Sequence, residues 1–241
     1  MADRRLPAAL AGLIAVSLAG PLAAQAVIDD RVTRTDDLPT WQLQRDRKRM
    51  LNDRYLSFPE MRALADAGDG LAAFRYANRL MELDNADDLV GDAALYYASA
   101  VFTGRDYALG PLIRILERPG LDVSDKRLDH LENAMRTMAV QGYPEAGEAL
   151  ARFYETGEPF GRHPDRARML LLERAEAGDG AAALRIGSNA LQNPGAVEPD
   201  RLRGILSLAA EDGDTLGTRT AARSLLAQLE ARNDDTGKDT Q

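Results

Sequence analysis

Short glycine-centred corners recur along this chain at a nearly constant spacing, and this spacing constrains the fold more than any other feature. The corner Ala177-Gly178-Asp179-Gly180 lies between two stretches of helical periodicity. Gly178 suits the left-handed position just after a helix, where a Cβ atom is penalised, and Asp179 suits the N-cap of the next helix. A connection this short predicts an antiparallel pair of helices.

Similar corners are present elsewhere in the chain. They are Ala67-Gly68-Asp69-Gly70, Gln141-Gly142-Tyr143-Pro144, Asp212-Gly213-Asp214-Thr215 and a weaker variant, Val90-Gly91-Asp92. Gly142 and Gly178 are 36 residues apart, and Gly178 and Gly213 are 35 residues apart. A period in the thirties is typical of a helical solenoid in which each unit is one helical hairpin.

Small residues follow three of these corners at the fourth, fifth and ninth positions after the glycine. They are Ala72, Ala73 and Ala77; Ala146, Gly147 and Ala151; and Ala182, Ala183 and Gly187. These offsets place the small residues on one face of a helix, where they allow a neighbouring helix to approach closely.

The residues of the clearest unit resemble those of a known repeat family. The pattern consists of Tyr154-x-x-Gly157 followed by Gly161, Asp165, Ala167, Ala175, Gly178, Ala182 and Gly187. It is similar to the Sel1-like repeat, a relative of the tetratricopeptide repeat, over residues 144–191, 58–83 and 198–229. The resemblance implies an all-α fold, a right-handed α/α solenoid of antiparallel helix hairpins that serves as a protein-interaction scaffold. Residues 88–141 depart from the pattern, which predicts a degenerate unit there.

Residues 1–26 have the pattern of a cleavable secretory signal. Arg4 and Arg5 precede an apolar run, and Ala24-Gln25-Ala26 is a small-x-small cleavage site, so the mature chain is expected to begin at Val27 in the periplasm. A retained membrane anchor is the alternative. Prolines and glycines interrupt the apolar run, which favours cleavage and no stable membrane span. The chain has no cysteine, which excludes disulfides and thiolate metal sites.

The rest of the chain divides into three parts. Residues 27–40 lack helical periodicity and are predicted to be a flexible lead-in, residues 41–231 form the helical repeat domain, and residues 232–241 form a disordered tail. A basic helix over residues 45–54 has two interpretations. It is either an arm for an acidic partner or, as we favour, the solvated face of a capping helix that docks through Trp41, Met50 and Leu51. The formal charge of −8 disfavours nucleic acid as a partner.

No residue stands out as catalytic, cofactor-binding or metal-binding. His163 and nearby Asp165 lack a nucleophile, so Asp165 is expected to stabilise a helix start instead. Residues 84–89 are rich in carboxylates but lack the order of a calcium loop. The stripe of Leu128, Leu131, Met135 and Met138 is expected to be core, although methionines also line promiscuous binding grooves.

Two classes of function follow from these features. We favour an exported, non-catalytic scaffold that binds a protein partner along the concave surface of the solenoid. The alternative is a module that binds or processes cell-wall polysaccharide or exopolysaccharide through paired carboxylates on facing helices. A deep cleft with two inward carboxylates and aromatic platforms would favour the second class.

Overall fold

Helices make up most of the part of the chain that the structure describes. The computed structural model describes residues 32–238, with side chains through Arg232. This part contains eleven α-helices, two short 3-10 turns and no strands, which confirms the predicted all-α fold. The α-helices are α1 Trp41–Leu51, α2 Phe58–Asp66, α3 Gly70–Met81, α4 Ala86–Phe102, α5 Leu109–Leu116, α6 Asp125–Val140, α7 Pro144–Thr156, α8 Pro164–Glu176, α9 Gly180–Gln192, α10 Pro199–Asp212 and α11 Leu216–Lys238.

The helices are stacked in the order in which they occur in the chain. Most of them pack on their sequence neighbours, and α4 with α6, α5 with α7, α8 with α10 and α9 with α11 are also in contact. The buried apolar side chains form two clusters, one from residues 32–167 and one from residues 151–222, which meet at α7 and α8. The core is therefore elongated along the stack, as in an α/α solenoid.

Three of the predicted corners have the expected backbone geometry. Gly68, Gly142 and Gly178 have φ angles of 87°, 93° and 96°, in the left-handed region. Asp69 Oδ1 accepts a hydrogen bond from the Ala72 N–H at 2.8 Å, and Asp179 Oδ1 accepts one from the Ala182 N–H at 3.0 Å. These bonds satisfy otherwise unpaired groups at the starts of α3 and α9.

The fourth corner is built differently from the prediction. Gly213 has a φ of −55°, so it is not left-handed, and the Oγ1 of Thr215 rather than Asp214 accepts from the Thr218 N–H, at 3.0 Å. A Cβ atom on Gly213 would lie 2.5 Å from the Ala209 carbonyl oxygen. Glycine is therefore needed at this corner because the chain approaches itself closely, not because of its dihedral angle.

The small residues after the corners are buried between helices, as predicted. All nine lie on α3, α7 or α9 and are buried. Gly187 is covered by two neighbouring helices. A Cβ atom on Gly187 would lie 3.0 Å from methyl groups of both Leu206 and Leu225. This contact fixes how closely α9 lies to α10 and α11.

The region of residues 88–141 departs from the regular hairpins. Helix α4 begins at Ala86, so the predicted weak corner at Val90-Gly91-Asp92 is wrong and Gly91 lies within the helix. A Cβ atom on Gly91 would lie 3.3 Å from a Val123 methyl group, so the glycine makes room for the chain that leads into α6. Helix α5 has only eight residues. Met135 and Met138 on α6 are fully buried, which confirms that the methionine stripe is core.

The N-terminal segment, which was predicted to be a flexible lead-in, contacts the first helices over residues 32–40 through two buried side chains. Val32 and Leu38 are 7% and 2% exposed, respectively. The Arg47 guanidinium donates to the Oγ1 of Thr35 at 2.9 Å, which ties this segment to α1. The expected docking of α1 is only partly right: Met50 is fully buried, but Trp41 is 71% exposed. Leu51, at 49% exposed, also faces away from the core.

Helix α11 continues to Lys238, so the chain remains helical beyond Arg232, where a disordered tail was predicted to begin. Nη1 of Arg232 donates to the Leu191 carbonyl at 2.7 Å and holds the end of α11 against α9. The predicted signal segment, residues 1–26, and the last residues of the tail lie outside the described residues. Within residues 32–238, no helix combines the length and apolarity needed to cross a membrane.

Candidate functional site

Three recesses lie along the C-terminal half of the stack. The α6–α8 groove has a volume of about 370 Å³ and is lined by Arg136, Val140, Tyr154, Arg166, Met169, Leu170 and Glu173. The polar recess, about 480 Å³, is lined by Glu155, Arg162, Pro164, Arg168, Ile186, Asn189, Ala190, Asn193, Ala196 and Val197. The apolar recess, about 160 Å³, is lined mainly by Ala190, Pro194, Val197, Leu202, Arg203, Leu226 and Leu229.

The α6–α8 groove has a polar floor of Arg136, Tyr154 and Arg166, and all three side chains are bonded to Glu132. Its Oε1 accepts hydrogen bonds from the Tyr154 hydroxyl at 2.5 Å, from Arg136 at 2.6 Å and from Arg166 at 3.1 Å. Arg136 also donates to the Tyr154 hydroxyl oxygen at 3.2 Å. Burial raises the pKa of Tyr154, so its hydroxyl stays protonated. The network joins α6, α7 and α8 and holds the groove floor in one arrangement.

Two aliphatic side chains on the rim of the same groove face solvent. Val140, the last residue of α6, is 82% exposed, and Met169 on α8 is 60% exposed. Most other large apolar side chains of α6 and α8 lie in the core. The groove therefore combines a rigid polar floor with exposed apolar contacts, which is the composition of many protein-binding surfaces.

The polar recess is formed where the end of α7, the 157–163 loop, the start of α8 and the end of α9 meet. Glu155 is paired with Arg185, and Arg168 donates to the Asp165 carboxylate at 2.5 Å. Arg162 makes no hydrogen bond or ion pair with any described residue. The recess therefore holds one arginine whose charge no neighbouring carboxylate balances.

The polar and apolar recesses are equivalent parts of successive repeats. Helix α8 begins with Pro164-Asp165-Arg166-Ala167-Arg168, and α10 begins with Pro199-Asp200-Arg201-Leu202-Arg203. Arg203 donates to Asp200 at 2.8 Å, which reproduces the pair of Arg168 with Asp165. The repeat was visible in the sequence, but sequence reasoning did not connect it with a recess.

The walls of these two equivalent recesses differ in polarity. With α8 placed on α10, Arg162 corresponds to Val197, and with α9 placed on α11, Asn193 corresponds to Leu229. Val197 and Leu229 both line the apolar recess. Each recess is lined by two arginines and one glutamate, but the polar recess adds the amides of Asn189 and Asn193 where the apolar recess adds the side chains of Leu226 and Leu229.

Both histidines have structural surroundings. The backbone N–H of His163 donates to the Tyr154 carbonyl at 2.8 Å, and its ring packs edge-on against the Tyr154 ring with centroids 5.6 Å apart. Asp165 pairs with Arg168 rather than with His163. The ring of His130, on an exposed part of α6, contacts the Lys126 carbonyl. Within the described part of the chain, neither imidazole is hydrogen-bonded to a nucleophilic side chain.

The acidic segment of residues 84–89 is divided between a turn and the start of α4. Asp87 forms an ion pair with Arg118 at 3.2 Å. Among the described residues, no group of three histidine, cysteine, aspartate or glutamate side chains is placed to hold a metal ion.

The basic helix is α1, and several of its charges are neutralised within the fold. Arg47 is 7% exposed, and its Nε donates to Asp69 Oδ2 at 2.5 Å. Arg49 donates to Asp46 at 3.1 Å and to Glu60 at 2.8 Å. The prediction of a solvated face is therefore wrong for Arg47, which acts as a buried tie between α1 and the first corner.

Glu60 is the carboxylate most strongly affected by these contacts. Its pKa is lowered to about 2 by hydrogen bonds from the Ser57 backbone N–H, from Arg49 and from the Ser57 hydroxyl. Ser57 in turn accepts from the Glu60 N–H, which completes a capping box at the start of α2. The lowered pKa of Glu60 is therefore explained by hydrogen bonds at the start of α2, and Glu60 lines none of the three recesses.

Comparisons with known proteins do not assign the chain to a family. No family model and no curated protein matches it. A solved structure titled "DHF58 filament" aligns over 90% of this chain and 95% of its own chain, with 14% sequence identity and a TM-score of 0.24. A TM-score this low supports no conclusion about architecture or function.

Proposed function

We propose that this chain is an exported, non-catalytic helical-repeat scaffold of the Sel1-like type, which binds a protein partner in the cell envelope along the concave surface of its solenoid. The observation that carries the proposal is the α6–α8 groove. Exposed Val140 and Met169 flank a floor on which Glu132 already binds a tyrosine and two arginines. A preorganised polar floor beside exposed aliphatic side chains favours specific protein binding, because little ordering is required on association.

The composition of the three recesses supports a scaffold over a polysaccharide-processing module. Each recess is lined by a single carboxylate: Glu173, Glu155 and Glu230, respectively. Glycoside hydrolysis requires two facing carboxyl groups, and sugar binding usually adds an aromatic platform. Tyr154 is the one aromatic residue among the lining residues of these recesses, and it is 1% exposed. Its ring is therefore not available for a sugar to stack on.

Affinity capture from a periplasmic extract tests the proposal, with the purified chain as bait and mass spectrometry as the readout. The variant Met169→Glu places a charge on the groove rim. Leu216→Glu is its matched control, because Leu216 is similarly exposed, at 69%, but lies on α11 outside the three recesses. We expect a protein that is captured by the native chain and by Leu216→Glu but is lost with Met169→Glu.

Two results would contradict the proposal. One is the absence of any enriched protein together with binding on a glycan array, which would favour the polysaccharide module. The other concerns export: N-terminal sequencing of the protein from the periplasmic fraction should begin at Val27. An uncleaved chain in the membrane fraction would instead support a retained anchor.

A further inference from the structure

The polar recess carries an excess of positive charge in an acidic protein. Three guanidinium groups, those of Arg162, Arg168 and Arg185, lie in or beside it and face two carboxylates, those of Glu155 and Asp165. The whole chain has a formal charge of −8. A positive recess on a negative protein attracts anionic groups locally while the remaining surface repels them.

The three arginines differ in how firmly they are held. Arg185 is paired with a similarly half-buried Glu155. Arg168 pairs with Asp165, whose side chain is 81% exposed, and an ion pair this open to water is weak. Arg162 has no partner among the described residues. Arg162 and Arg168 can therefore both turn toward a ligand without breaking a strong interaction.

The opposite wall of the recess supplies unpaired amide groups. Asn189 and Asn193 lie one turn apart at the end of α9, and both side chains line the recess. Neither side-chain amide makes a hydrogen bond within the described part of the chain. Each carries one carbonyl acceptor and two N–H donors, which is the complement of a peptide group.

We propose that the polar recess binds an acidic peptide segment, with a carboxylate on Arg162 and Arg168 and the peptide backbone on Asn189 and Asn193. This inference rests on the proposed scaffold function and names the chemistry of its partner. Guanidinium groups bind carboxylates through paired, charge-assisted hydrogen bonds. Buried Ile186 and Val197 give the recess apolar walls, so an acidic residue next to an aliphatic one fits best.

Comparison with the apolar recess, its equivalent one repeat later, shows which side chains are particular to the polar recess. The apolar recess retains Arg203, the equivalent of Arg168, in the same ion-pair geometry. It has Val197 and Leu229 where the polar recess has Arg162 and Asn193. Because the framework is shared, Arg162 and Asn193 are not required to form the repeat, which leaves them free to contact a ligand.

Fluorescence anisotropy with a labelled peptide that repeats Gly-Glu-Leu-Glu tests this inference on the purified chain. The test variant is Arg162→Gln with Arg168→Gln, and the matched control is Arg203→Gln, which removes the equivalent arginine from the apolar recess. We expect the double variant to weaken binding by about tenfold, because it removes both guanidinium groups that would pair with the peptide carboxylate. The control should change binding less than about twofold. A peptide with glutamine in place of glutamate should not bind.

The other outcomes overturn the inference. Equal binding by the double variant, or equal weakening by Arg203→Gln, would show that the peptide responds to general surface charge. Trigalacturonate that binds more tightly than the peptide would identify the recess as a site for acidic sugars. If the double variant still captures the same protein from periplasmic extract and does not lose the peptide, this inference fails while the scaffold function stands. Circular dichroism checks that each variant is folded.

Discussion

Arg201, the third residue of α10, donates from its Nε to Glu176 at the end of α8, across a distance of 2.5 Å. The same position in two other helices makes the same kind of link. Arg166 of α8 donates to Glu132 on α6 at 3.1 Å, and Arg127 of α6 donates to Asp92 on α4 at 2.5 Å. The third residue of α6, α8 and α10 is therefore an arginine that links its helix to the helix two places earlier in the chain, which is α4, α6 or α8, respectively.

Replacing Arg201 with glutamine should change the acid stability of the chain. Hydrogen bonding from Arg201 lowers the pKa of Glu176, so the stability that Glu176 contributes is present above its ordinary pKa and is lost as the pH falls through the lowered value. In Arg201→Gln the pKa should return toward its ordinary value, and this contribution should disappear. Carboxyl NMR titration of both proteins measures it, and an unchanged Glu176 curve would contradict the link.

The two aspartate corners should respond unequally to the same substitution. The Asp69 and Arg47 side chains are 1% and 9% exposed, whereas Asp179 and its partner Arg174 are 24% and 17% exposed. Asp69→Asn should cost about 3–5 kcal/mol, because it leaves a buried guanidinium without a countercharge. Asp179→Asn should cost less, since both members of this pair are more exposed to water than Asp69 and Arg47 are. Urea unfolding compares the two, and equal losses would refute the role assigned to burial.

Gly178 offers a test of the corner geometry that involves no steric clash. Its φ is +96°, and an added Cβ atom would meet nothing within 4 Å. Gly178→Ala should therefore lower stability by about 1–2 kcal/mol through backbone strain alone. Gly204, inside α10 and equally open, is the control, and its change to alanine should raise stability by about 0.5–1 kcal/mol. Thermal unfolding that moved both variants in the same direction would contradict this account.

Gly187 should be intolerant of a side chain for the opposite reason, because space is lacking there. A Cβ atom would lie 3.0 Å from methyl groups of Leu206 and Leu225, so Gly187→Ala should cost about 1–3 kcal/mol by overpacking. Trimming Leu225 to alanine in the same chain makes room for the added methyl group. The combined variant should then lose less stability than the sum of the two single losses. Strict additivity in chemical denaturation would show that the helices separate freely.

Most of the helical architecture could be predicted from the sequence, because its signals are local. The left-handed glycines at Gly68, Gly142 and Gly178, and the caps at Asp69 and Asp179, depend on residues within about four positions of each corner. The prediction was wrong at Gly213 because the need for glycine there comes from a carbonyl of its own helix and from Thr218 on the next helix. The packing of residues 32–40 was not predicted because the segment has no periodicity and only two of its side chains, Val32 and Leu38, are buried.

The candidate site could not be found in this way. The polar recess draws Glu155, Arg162, Arg168, Asn189 and Asn193 from two helix ends, a loop and a helix start. None of these residues is unusual by itself. The PDRxR motif at the starts of α8 and α10 was a usable signal, since its repetition marks positions that face comparable recesses.

The amino-acid sequence by itself determined where most helices of this protein start and stop, and hence that it is a stack of hairpins. Helix capping, glycines in the left-handed conformation and the spacing of small residues all depend on residues within one or two helical turns, so they can be recognised in the sequence. The tertiary structure alone decided which arginines are neutralised, which apolar side chains remain exposed and which polar groups converge. These outcomes depend on the angles at which helices about 35 residues apart pack together, and no local pattern encodes those angles.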